Sequence, residues 1–113
     1  MVALLACANA FGYIPDEVTE GSLLQTADNG YCTGGRDEML CSHTHCLELG
    51  ISTGEDCYAQ CLTMYADTTC VAVSAVGTEE GECWCEQVGE GCLASDGSYT
   101  AYLSVDYDIP EMC

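Results

Sequence analysis

Three segments decide the fold: Thr53-Gly54-Glu55-Asp56-Cys57-Tyr58-Ala59-Gln60-Cys61, then Thr69-Cys70-Val71-Ala72-Val73-Ser74-Ala75-Val76, then Glu82-Cys83-Trp84-Cys85. Thr53 is placed to cap a helix, its hydroxyl accepting the backbone N–H three residues on while Asp56 reaches back. Glu55 and Asp56 then fall in the first turn, where carboxylates suit the positive end of the helix dipole. Cys57 and Cys61 are four residues apart, so both thiols project from one helix face. The β-branched run from Thr69 to Val76 reads as a buried strand. Gly77 to Gly81 makes a turn, and Glu82 begins a second strand in which Cys83 and Cys85 share one face while Trp84 takes the other. A helix face bearing cysteines thus opposes a sheet face bearing cysteines. The predicted class is small, disulfide-rich α+β: one central helix, residues 54–66, on a short antiparallel sheet.

Composition supports a covalently stapled domain. The chain has 113 residues and eleven cysteines, with Phe11 its only phenylalanine and Trp84 its only tryptophan. A core so short of large apolar side chains needs disulfides, each contributing about 2–4 kcal/mol. That chemistry places the protein in an oxidising compartment, at the cell surface, in the secretory pathway or in an organelle lumen. Nineteen acidic residues face Arg36 alone, for a net charge of −18. Such a surface cannot neutralise phosphates, which excludes nucleic acid and disfavours anionic membranes. The charge reads first as solubility in a salty or acidic compartment, and second as affinity for a basic partner or a divalent cation.

Residues 1–29 read as an apolar segment followed by an acidic extended arm, and residues 30–113 as the domain proper. Met1 to Ala10 resembles the end of a signal peptide without a basic n-region, and is too short to span a bilayer. Phe11, Tyr13, Leu23 and Leu24 are the arm's candidate partner contacts. Asn29-Gly30 marks a turn into a first strand at Tyr31-Cys32. Arg36 to Leu49 reads as a helix closed by Gly50. Within it, Cys41, His43, His45 and Cys46 form a possible zinc ligand set, but all four lie too close in sequence for a usual structural site. Bridged thiols and solvated histidines are expected there instead. Glu86 to Asp96 reads as a loop. Ser98 to Tyr107 alternates as a half-buried strand, with Tyr99 and Leu103 inward and Tyr102 and Asp106 outward. No N-glycosylation sequon is present.

From Cys32 to Tyr107 the chain resembles a PAN/apple-type domain. The likeness rests on the Cys57-x-x-x-Cys61 helix, Cys70-Val71-Ala72-Val73 entering a central strand, Cys83-Trp84-Cys85, and the late tyrosines Tyr99 and Tyr102. It implies a helix bridged to the central sheet: Cys61 to Cys70, Cys57 to Cys83 or Cys85, and Cys32 to Cys92 or Cys113. Cys41, Cys46, the doubled Cys83/Cys85 and the acidic arm depart from that pattern. WSC-type carbohydrate-binding domains are a rival resemblance. With eleven cysteines one remains over, and Cys7 is the candidate.

Both families imply extracytoplasmic binding modules. No nucleophile–base motif is present, so no enzyme is expected. Redox chemistry at Cys83-Trp84-Cys85 is disfavoured because Glu82 and Glu86 raise thiol pKa values. Asp106, Asp108 and Glu111 offer oxygen ligands without a calcium-loop pattern. No cofactor is expected. Tyr58, Tyr65, Tyr102 and Tyr107 are candidate contacts to protein or glycan. The function that follows is a non-catalytic structural or accessory subunit of an extracytoplasmic or luminal assembly, such as an extracellular coat, a filament or the luminal side of a thylakoid photosystem. The alternative is a secreted or cell-surface protein- or carbohydrate-binding module. The apolar segment at Met1 and the cysteine at Cys113 favour the subunit.

Overall fold

The computed structural model describes residues 24–88 and 91–113. The expectations for Cys7, Phe11, Tyr13, Leu23 and the signal-like segment lie outside these residues. Seven elements follow in order: β1 (Leu24–Cys32), β2 (Asp37–Ser42), α1 (Thr44–Glu48), α2 (Gly54–Met64), β3 (Cys70–Ser74), β4 (Glu82–Glu86) and β5 (Leu93–Ser104). The strands form one antiparallel sheet in the order β1-β5-β3-β4-β2. This is a small disulfide-rich α+β fold.

The central helix starts as its residues dictate. Thr53 Oγ1 accepts from the Asp56 N–H at 3.0 Å. The Asp56 carboxylate reaches back one residue further than expected, accepting from Ser52 N at 3.0 Å and Ser52 Oγ at 3.2 Å. The helix ends at Met64, short of the expected residue 66, because Tyr65 turns extended. Its inner face carries Cys57, Tyr58 and Cys61, all buried.

Among the described residues five disulfides close the structure: Cys32–Cys70, Cys41–Cys46, Cys57–Cys83, Cys61–Cys85 and Cys92–Cys113. Two of them clamp α2 to β4, one helical turn matched to one strand repeat of two. Cys61 therefore joins Cys85 rather than Cys70, whose side chain lies on the opposite face of the sheet from the helix. Cys70 instead joins Cys32, and Cys92 joins Cys113. Cys41 and Cys46 bridge each other, so their sulfurs are not available as thiolate ligands beside His43 and His45.

Three boundaries differ from expectation. β1 begins at Leu24, so residues 24–29 belong to the sheet and not to an arm. The segment expected to be one helix is the edge strand β2 followed by the single turn α1. His43, at φ 57°, breaks the two apart. Gly50 does close α1: its N–H donates to Leu47 O at 3.0 Å and that of Ile51 to Cys46 O at 3.0 Å, a Schellman pairing with Gly50 at φ 80°. Lastly, β5 begins at Leu93, within the expected loop, and ends at Ser104.

The core lies on both sides of the sheet. Between helix and sheet, Cys41, Cys46, Ile51, Tyr58, Val71 and Val73 pack around the two α2–β4 disulfides. On the far side, Leu93, Ala101 and Leu103 pack around Cys32–Cys70. Tyr102, expected to point outward, lies on the helix side of β5. A Cβ on Gly54 would come within 2.2 Å of its ring. Gly54→Ala is therefore expected to cost about 1–3 kcal/mol in urea unfolding. Tyr102→Ala in the same chain should recover part of that loss; strictly additive losses would disprove the contact.

Candidate functional site: an aromatic and acidic groove

Strand alternation places one set of residues opposite the helix. Val71, Val73, Cys83 and Cys85 face α2, so Cys70, Ala72, Glu82, Trp84 and Glu86 face away. Ala72 pairs with Trp84 across β3–β4, and Asp37 pairs with Glu86 across β2–β4. These residues form the floor of a groove of about 220 Å³ lined by Tyr31, Asp37, Ala72, Trp84, Glu86, Asp96 and Tyr99.

A bulge builds the wall. Asp28 pairs with Thr100 and Gly30 with Ser95, so Asn29 alone stands opposite Asp96, Gly97, Ser98 and Tyr99. Asn29 takes φ 65°, and Asp96 Oδ1 accepts from the Ser98 N–H at 2.9 Å, holding the inserted residues in a turn. The end of the β1–β5 ribbon then lies across the sheet. Cys32 reaches Cys70 past the intervening strand β5, and its N–H donates to Glu86 Oε1 on β4 at 2.9 Å. Tyr31 and Tyr99 come together edge to face, with ring centroids 5.7 Å apart.

Polar contacts fix the aromatic rings. Glu82 Oε1 accepts from Trp84 Nε1 at 2.9 Å and from the Tyr99 hydroxyl at 2.5 Å. The two donors hold the Glu82 carboxyl below its ordinary range. Burial, with the Glu82 charge beside it, pushes the Tyr99 hydroxyl up to about 12. Glu86 is only 2% exposed. Burial first, then hydrogen bonding to Asp37 and its charge, push the Glu86 carboxyl up to about 9, against the opposing Cys32 N–H. Glu86 is therefore a neutral, buried support behind exposed Asp37.

The residues expected to make contacts lie elsewhere. Tyr58 is in the core, 6% exposed, with its hydroxyl donating to Thr68 O at 3.2 Å. Tyr65 is half-buried under the Arg36 guanidinium, 4.8 Å from its ring centroid, and Arg36 pairs with Asp67. Tyr102 packs on Gly54, and Leu24 packs at the edge of the helix-side core. Tyr107 is exposed. Asp106, Asp108 and Glu111 are exposed and do not converge within 4.8 Å. The groove residues Tyr31, Trp84 and Tyr99 were not among the expected contacts. The signal for Trp84 was present: it alternates with two cysteines and must face away from whatever they bind.

No protein-family model, curated protein or solved structure matches this chain.

Glu86 gives the groove a pH signature. Its folded pKa of about 9 lies above the ordinary 4.5 of the unfolded chain. Below 4.5 both states are neutral at this site and its full stabilisation is present. As pH rises the unfolded state ionises first, so stability falls progressively until Glu86 itself ionises near 9. Thermal unfolding between pH 5 and 8.5 should show this decline, and Glu86→Gln should flatten it. An unchanged slope in the variant would contradict the assignment.

Proposed function

We propose that the protein is a non-catalytic accessory subunit of an extracytoplasmic or luminal assembly, docking partner proteins through the aromatic groove of a PAN-like domain. The observation that carries this reading is the division of labour between sheet faces. One face is bolted to α2 by two disulfides, and the other presents Tyr31, Trp84 and Tyr99 in an open, acidic groove. Aromatic rings held rigidly at a surface are the usual anchors of protein contacts. The bridge from helix to sheet at Cys57–Cys83 is one that the PAN-like resemblance implies. Five disulfides accord with an oxidising, extracellular-type compartment. No helix among the described residues is long and apolar enough to cross a membrane.

Two features support binding over catalysis. Cys83 and Cys85 are each bridged to the helix, so they do not form a redox dithiol. Glu86 is buried and hydrogen-bonded to Asp37, so the pair does not flank a substrate as two hydrolytic carboxylates do.

A photo-crosslinking residue tests the reading directly. Placed at Tyr31 on the groove wall, it should yield one discrete protein adduct in native extract, while the same residue at exposed Ala59 on α2 should yield none. Adducts from Ala59 alone, or a glycan array response that Trp84→Ala abolishes, would transfer the function to another face or to carbohydrate.

A further inference from the structure

We propose that the groove receives the guanidinium of an arginine side chain in a basic segment of the partner. This rests on the docking reading above and names the group docked. The groove offers a flat aromatic floor in Trp84, a tyrosine wall in Tyr99 and Tyr31, and the carboxylates of Asp37 and Asp96 along its sides. Its volume of about 220 Å³ is below the roughly 300–1,000 Å³ of pockets for small organic ligands and suits one inserted side chain.

The chemistry selects among cations. A guanidinium is planar and weakly hydrated, stacks on aromatic faces and carries donors around its rim, whereas a lysine ammonium is compact and strongly hydrated. A neutral sugar leaves the acidic sides unanswered. The chain already contains this recognition once. Arg36 lies 4.8 Å over the Tyr65 ring centroid and pairs with Asp67. The groove repeats the combination of aromatic face and aspartate without a cation of its own, because Arg36 is the chain's only Lys or Arg and is turned to Asp67. The surrounding net charge of −18 steers a basic segment toward it.

Trp84, the only tryptophan, is a built-in reporter. The full chain is titrated with the peptide acetyl-Gly-Arg-Gly-Arg-Gly-amide and its lysine and citrulline counterparts at about 150 mM salt, where diffuse surface attraction is screened. Trp84 emission should saturate with the arginine peptide, with affinity about tenfold weaker for citrulline and several-fold weaker for lysine. Asp37→Asn and Asp96→Asn should each weaken arginine binding about five- to tenfold, while Glu79→Gln on the β3–β4 turn, an equal change of charge, stays within about twofold. Equal binding of arginine and lysine peptides, or equal losses in all three variants, overturns the proposal in favour of a diffuse field. No arginine response alongside a discrete Tyr31 adduct overturns the ligand and leaves the docking surface standing. Loss of both removes the docking reading as well.

Discussion

The structure depends on the clamp between α2 and β4. A strand alternates its side chains, so fixing Cys83 and Cys85 to the helix also fixes which residues point the other way. Glu82, Trp84 and Glu86 have no choice of face once those bonds exist. A slip of one residue in β4 would exchange the two sets and place the indole against the helix. The covalent bonds that make up for a thin apolar core therefore also specify the groove. Stability and presentation come from the same strand.

The second constraint is the bend in the β1–β5 ribbon. Asp96 to Tyr99 are extra residues opposite Asn29, and they fold the ribbon's end over the sheet. Cys32 is then close enough to join Cys70 and to donate to the Glu86 carboxyl. Burying that carboxyl costs ionisation energy, which the protein meets by keeping it neutral beside Asp37. The same bend brings Tyr31 and Tyr99 together along the groove that Trp84 also lines. A ribbon that stayed flat would leave Trp84 on an open sheet with no wall.

The central elements were legible and the edges were not. Thr53 and the spacing of Cys57 and Cys61 located the helix, and the Val71–Val73 and Cys83–Cys85 alternations located the two middle strands. Two of the misplaced strands, β1 before Tyr31 and all of β2, are edge strands, while the early start of the interior strand β5 comes from its pairing with the end of β1. An edge strand buries less, so its pattern is weaker; Asp37-Glu38-Met39 carries no apolar alternation, and pairing with β4 decides its conformation. Cys57 joins Cys83, one of its two expected partners, but the expected partners of Cys61 and Cys32 failed for a related reason. Cys70 stands next to the helix in sequence, but its place in β3 sends its sulfur to the far face, where only the bent ribbon reaches it. Long-range bending, caused by a bulge at Asp-Gly-Ser, has no periodic signature.

Charge completes the picture. With Arg36 held by Asp67 and Tyr65, the groove brings acidic and aromatic side chains together with no Lys or Arg of the chain beside them. Because the α2–β4 clamp determines which face Trp84 occupies, the pairing of its four cysteines is the most direct test. Non-reducing peptide mapping with cleavage after Trp84 separates Cys83 from Cys85. The account predicts Cys57 linked to Cys83 and Cys61 to Cys85; Cys61 linked to Cys70, or Cys57 linked to Cys85, would contradict it.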